Sequence, residues 1–213
     1  PEGSKTSKGR AIQNLINIEQ DDKVKAFINT QDLKDTEYVN SHYVVMATKK
    51  GQIKKTSLEK YSRPRINGIN AITIKENDEL LEAKLTNGNS EILMAVKSGK
   101  AIRFEESKTR PMGRSASGVR GIRLKDDKDE VIGMVSVNDV STDMLVVSKN
   151  GYGKRSSLED YRITNRGGKG VKTISITEKT GSLVAIKNVS DENDLMIINK
   201  SGIAIRMSIE KLR

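Results

Sequence analysis

The sequence predicts an all-β fold of propeller-like repeats, each a four-stranded antiparallel blade of about fifty residues. Three observations carry that expectation. A tight-turn motif occurs four times, as Lys49-Lys50-Gly51, Lys97-Ser98-Gly99, Lys149-Asn150-Gly151 and Lys200-Ser201-Gly202, with turn glycines 48, 52 and 51 residues apart. Each turn lies between two short runs rich in β-branched and aliphatic residues, a hairpin signal, because primed turns need the positive φ that glycine supplies. No stretch carries a helical period of useful length, while the 213 residues suffice for an ample core.

Taken in order, residues 1–8 are polar loop, and 9–18 with the acidic turn 19–22 form the second half of a partial repeat. The chain starts with Pro1, so a longer parent protein is expected. The expected repeats within one domain (1–213) are 1–36 (partial), 37–87, 88–138, 139–190 and 191–213 (partial). Opening strands fall at 43–48, 92–96, 145–148 and 196–199, each leading into its glycine turn and a second strand. Short polar segments follow at 57–61, 105–108, 157–161 and 208–212, then basic, glycine-bearing loops at 63–68, 114–118 and 166–170. A further strand (69–74, 119–124, 171–176), an acidic turn and a last strand (80–85, 131–137, 183–189) complete each repeat. Unbroken apolar runs such as Ile92-Leu93-Met94-Ala95-Val96 suit strands covered on both faces.

Lysine and arginine outnumber the acids 38 to 28, a net charge of +10 that predicts attraction to polyanions. No cysteine is present, which excludes disulfides and thiolate metal sites. No apolar run approaches the roughly 20 residues of a membrane helix. Comparing the repeats with one another locates the charge. A lysine precedes each turn glycine by two places (Lys49, Lys97, Lys149, Lys200), and a basic residue follows it by four (Lys55, Arg103, Arg155, Arg206). Equivalent positions of a ring of blades share one surface, so these residues, with Lys50, Lys54, Lys100 and Lys154, are expected to form a basic band. Exposed hairpin lysines also guard edge strands, but recurrence in every repeat favours a functional band.

The loops add Arg63, Arg65, Arg110, Arg114, Arg120, Arg166, Lys169 and Lys172 beside glycines that let backbone N–H groups approach phosphate. The densest case is Arg166-Gly167-Gly168-Lys169-Gly170. Duplex DNA carries one charge per ~1.7 Å, so a curved basic band suits a wrapped duplex. With five tyrosines, two phenylalanines and no tryptophan or recognition helix, phosphate contact and bending are favoured over base reading. Tyr61, Tyr152 and Tyr161 are expected to pack blade against blade, and His42, the only histidine, to sit at an exposed strand end. Acidic runs such as 126–130 are solvated turns, and no metal site, phosphate loop or nucleophile elbow is recognisable. This stretch is expected to hold no catalytic residue.

Several segments resemble the C-terminal domain of the A subunit of bacterial DNA gyrase, which is a type IIA topoisomerase, over essentially the whole chain. They are 7–15, 47–56, 118–124 and Asn150-Gly151-Tyr152-Gly153-Lys154-Arg155. The resemblance implies a β-pinwheel whose basic rim wraps DNA, presenting a positively crossed segment to an ATP-driven strand-passage core that introduces negative supercoils. The family's box, Gln-Arg-Arg-Gly-Gly-Lys-Gly, is matched at Arg166–Gly170, while Thr164 and Asn165 depart from it and the match falls in a later blade than is usual. The resemblance also implies a cytoplasmic, nucleoid-associated setting, the gyrase A dimer and the gyrase B protein as partners, and a monomeric isolated domain. Magnesium and ATP belong elsewhere in the parent complex, with no cofactor in this stretch. Two other readings stay open: the equivalent domain of topoisomerase IV, and a propeller that serves as a protein-interaction platform.

Overall fold

The computed structural model describes residues 22–65 and 67–212, together with 4, 6–9 and 11; the expected half-repeat before Asp22 falls mainly on residues outside this set. A six-residue helix, α1 (Thr36–Ser41), precedes the strands and is capped by Asp35, whose carboxylate accepts from the N–H groups of Glu37 and Tyr38. Strands then follow as β1 (Tyr43–Thr48), β2 (Gln52–Ser57), β3 (Leu80–Thr86), β4 (Glu91–Val96), β5 (Lys100–Glu105), β6 (Val119–Arg120) and β7 (Val131–Val137). The remainder are β8 (Asp143–Ser148), β9 (Gly153–Ser157), β10 (Val171–Lys172), β11 (Leu183–Val189), β12 (Asp194–Ile198) and β13 (Ala204–Ser208).

The all-β, four-stranded antiparallel blades expected from the repeat are present. All four hairpin turns place glycine at positive φ, from 81° to 84° at Gly51, Gly99, Gly151 and Gly202. Sheet order is β3-β1-β2-β6, β10-β5-β4-β7, β11-β8-β9 and β12-β13. The order contains a hand-over. β6 belongs to the second complete repeat yet pairs with β2 of the first, Gln52 opposite Arg120. Likewise β10 of the third repeat pairs with β5 of the second, Val171 opposite Ala101. Each of the first two blades is therefore closed by a strand from the repeat after it, whereas β11-β8-β9 carries no such fourth strand among the described residues.

Two expectations change as a result. The strands foreseen at 119–124 and 171–176 are only two residues long, because each touches its neighbour's second strand briefly before the backbone turns away. Residues 69–74 form no strand, since the hairpin they would join precedes α1 and none stands there among the described residues. The polar segments after the hairpins close into 3-10 turns that bury Leu58, Glu106, Leu158 and Ile209.

The core lies between blades. Ile92, Met94 and Val96 pack with Val45, Ala47 and Ile53 of the first hairpin, whereas Leu93 and Ala95 pack with Met144, Val146 and Leu183 of the third repeat. All five β4 residues from Ile92 to Val96 are at most 1% exposed, as the unbroken run predicted. Fully burying side chains of this kind contributes roughly 1.5–3 kcal/mol each. Tyr161 joins this inter-blade packing, with its hydroxyl against that of Thr173, but Tyr152 lies on the surface under the Lys179 ammonium. His42 is half-buried rather than exposed, its ring 4.3 Å from that of Tyr38. No helix among the described residues is long and apolar enough to cross a membrane.

Candidate nucleic-acid interface

The basic residue four places after each turn glycine points inward in the first two repeats. Arg103 pairs with Glu91 at 2.5 Å and donates to the carbonyls of Leu158 and Tyr161, at 2.8 and 3.0 Å, in the 3-10 turn of the following repeat. Arg155 repeats the arrangement with Asp143 at 2.7 Å, Asp191 at 2.6 Å and, more loosely, the Ile209 carbonyl. Arg206 pairs with Asp194 but remains exposed. Lys55 has no acid at the corresponding place in β1; Tyr43 stands there, and the ammonium lies 4.1 Å from the ring centre. It reaches forward instead to Glu106, 2.8 Å away in the next repeat's 3-10 turn, where Thr86 and Ser90 also donate to the carboxylate. Lys55, Arg103 and Arg155 are struts between repeats, whereas Arg206 pairs only within its own hairpin.

Lys54, Lys55 and Arg103 are therefore corrected out of the expected exposed band, being 0%, 4% and 8% exposed. A buried charge is tolerated only with partners, and the recurrence at this position reflects that pairing. The lysine two places before the glycine is partly committed as well: Lys49 bridges to Glu79 at 3.0 Å and Lys97 to Glu130 at 3.3 Å. Glu79 also takes Lys25, and the two ammonium groups hold its carboxyl down to about 2. Lys50 is exposed and donates to the Asp127 carbonyl; Lys149, Lys154 and Lys200 are exposed too.

The glycine loops supply most of what remains. The loops at 114–118 and 166–170 each lie across the second strand of the preceding repeat, so closely that a Cβ at Gly118 would meet the Ile53 carbonyl oxygen at 2.5 Å. At Gly170 a Cβ would collide with the Ala101 carbonyl oxygen, and both glycines have positive φ. Gly167 donates to the Gly121 carbonyl at 2.6 Å, and the Arg123 N–H to that of Gly168 at 2.8 Å. Arg166 is half-buried and donates to the carbonyls of Lys108 and Arg120, at 2.9 and 3.1 Å. It anchors the loop, leaving Arg120 and Lys169 exposed on either side of this junction. At the junction before it, Arg65 and Arg114 line one shallow cleft, with Arg63 exposed nearby.

A second depression collects Lys97, Lys100 and Lys172 with Lys125 and Lys128, two lysines that the repeat comparison did not bring forward because they alternate with acids. Its Asp129 is occupied by Ser98 and by the Lys125 N–H. Among the described residues no group of three or more His, Asp or Glu side chains could hold a metal ion.

A family model described as DNA gyrase C-terminal domain, beta-propeller, matches residues 42–87, 90–138, 142–190 and 193–213. The DNA gyrase A subunit of Staphylococcus epidermidis is 44% identical over all 213 residues, and that of Staphylococcus aureus 43% identical over 210 residues, 98% of the chain. The chain spans 23% of the length of each of these relatives. Among solved structures, a DNA gyrase A C-terminal domain superposes with a TM-score of 0.82 at 25% identity, covering 96% of this chain and 67% of that one. The C-terminal domain of a DNA topoisomerase IV shares the fold, with a TM-score of 0.86 at 22% identity over 96% of this chain and 62% of that one.

Proposed function

The chain belongs to the DNA gyrase C-terminal domain family, and from that membership we propose that it binds duplex DNA without sequence preference, bends it and wraps it. The wrap supports ATP-dependent negative supercoiling by a gyrase whose A dimer and B proteins carry the chemistry. ATP and magnesium belong to those other parts, in the bacterial cytoplasm, and this stretch supplies no catalytic group. The observation that carries the reading is the repetition of the loop junctions. A glycine loop rides over the preceding blade at successive junctions, with Arg65 and Arg114 at one and Arg120 and Lys169 at the next. Cations at blade-to-blade intervals on a curved array suit the phosphates of a bent duplex better than those of a straight one.

The curated relatives at 43–44% identity are gyrase proteins, which favours gyrase over the topoisomerase IV equivalent. The test is affinity for duplexes of roughly 20 and 150 base pairs across a salt series. Contact with about 6–10 phosphates gives a log–log slope near −5 to −9. A preference for the long duplex with a steep slope supports wrapping. A shallow slope without length preference turns the reading towards a protein-interaction platform.

A further inference from the structure

The two loop junctions spend their cations differently. At the second, the arginine four places before the loop's last glycine is Arg166, and its guanidinium is committed to two backbone carbonyls. The side chain under that loop is Ile102, 3.4 Å from where a Cβ on Gly168 would stand. At the first junction Arg114 occupies the place of Arg166 and Lys54 the place of Ile102. Lys54 is fully enclosed, and its ammonium donates to the carbonyls of Ala71, at 2.6 Å, and of Arg114 itself, at 2.5 Å. The Arg114 guanidinium has no hydrogen bond or ion pair with another described residue. It shares its cleft with Arg65, Asn70 and Ser115, and no carboxylate lines it, whereas Asp126 and Asp129 line the depression around Lys97.

We propose that the Arg65–Arg114 cleft holds one phosphate group of a nucleic-acid backbone crossing from the first complete repeat to the second, with Lys54 as the positioning residue beneath it. This rests on the DNA-binding reading and sharpens it to a site. Two planar guanidinium forks match the oxygens of one phosphate, and the Ser115 hydroxyl and Asn70 amide are further donors. Three cations gathered without an acid repel one another, and a bound phosphate relieves that repulsion. Lys54 does not reach the cleft; it fixes the Arg114 backbone from which the guanidinium extends.

The experiment compares Arg65→Gln, Arg114→Gln, the double variant and Lys54→Met by anisotropy of a labelled duplex across a salt series, with melting curves to establish folding. One shared phosphate predicts that the double variant loses about 0.9 of the log–log slope, whereas two separate contacts would remove about 1.8 and overturn the shared site. An unchanged slope in the double variant, beside wild-type binding, overturns the site and leaves the DNA-binding reading standing. A wild-type chain that does not bind duplex overturns both. Lys54→Met lowers affinity several-fold with the slope unchanged; a slope lowered as in an arginine variant would overturn its positioning role, and Lys54→Gln repeats the test if the methionine variant does not fold. Inorganic phosphate alone, followed through the arginine Nε–H signals by NMR, distinguishes the source. Saturable shifts of Arg65 and Arg114 without any loss of duplex affinity in the double variant would assign the cleft to free phosphate.

Discussion

Replacing Arg103 by alanine separates a strut from a DNA contact. The side chain is 9% exposed, and its partner Glu91 17% exposed, so the ion pair is shielded from water on both sides. Truncation leaves that carboxylate unpaired and also removes the guanidinium donor from the Leu158 and Tyr161 carbonyls, of which Leu158 keeps the Tyr161 N–H. Removing one partner of a buried pair costs about 3–5 kcal/mol. Glu91 keeps some access to solvent, so the lower end, near 3 kcal/mol, is expected. The assay is urea unfolding followed by far-ultraviolet circular dichroism, with Arg206→Ala as control. Arg206 is 72% exposed at the side chain, and breaking its pair should cost under about 1 kcal/mol. Under conditions where Arg103→Ala is still folded, its salt slope for duplex DNA should equal that of the wild type. A stability loss below about 1 kcal/mol together with a slope reduced by about 0.9 refutes the strut and returns Arg103 to the DNA-binding band.

Other outcomes follow from the same geometry. The Lys54 ammonium titrates at about 8, lowered chiefly by burial and then by Arg114, against 10.5 for an ordinary lysine. The groups around it are Arg114 and Tyr61, whose hydroxyl donates to the same Ala71 carbonyl. Between those two values the unfolded chain holds the extra proton, so stability rises with pH across that window; the rise should vanish in Lys54→Met, checked by urea midpoints on both sides of pH 8. Gly170→Ala forces a Cβ against the Ala101 carbonyl at positive φ and should cost more than Gly151→Ala, where the space is open and only the roughly 1–2 kcal/mol of left-handed backbone is lost; paired melting curves decide it. Glu79 is depressed to about 2 by Lys25 and Lys49, so its bridges add stability above the ordinary 4.5 that is lost as pH falls through about 2. In Lys49→Ala its carboxyl should titrate higher, as followed by NMR.

Much of the blade was legible because backbone constraints repeat. The four turn glycines, the opening strands and the doubly covered run at 92–96 stand where the pattern put them. The hand-over of β6 and β10 was not legible, since two-residue strands carry no periodicity and the partner lies in another repeat. The cations were misjudged for a different reason: a lysine or arginine inside a strand looks solvated when its partner is distant in sequence. One signal did exist. Glu91, Asp143 and Asp194 each stand twelve places before Arg103, Arg155 and Arg206, and where Tyr43 replaces the acid, Lys55 replaces the arginine. Covariation between repeats of one chain therefore encoded the strut. Whether Arg166 contacts solvent or anchors its own loop depended on the neighbouring backbone, which composition does not reveal.

The hand-over of strands also imposes an order on biosynthesis. A chain leaves the ribosome from its N-terminus, so β1, β2 and β3 are exposed before β6 exists, and the hairpin β4–β5 must be made in between. The outer edge of β2 stays unpaired throughout that interval, and the edge of β5 waits likewise for β10. The second and third repeats thus each act as the clasp of the one before. A pause in translation just after a hairpin leaves the preceding blade open, which is when such an edge is most vulnerable to pairing with another nascent chain.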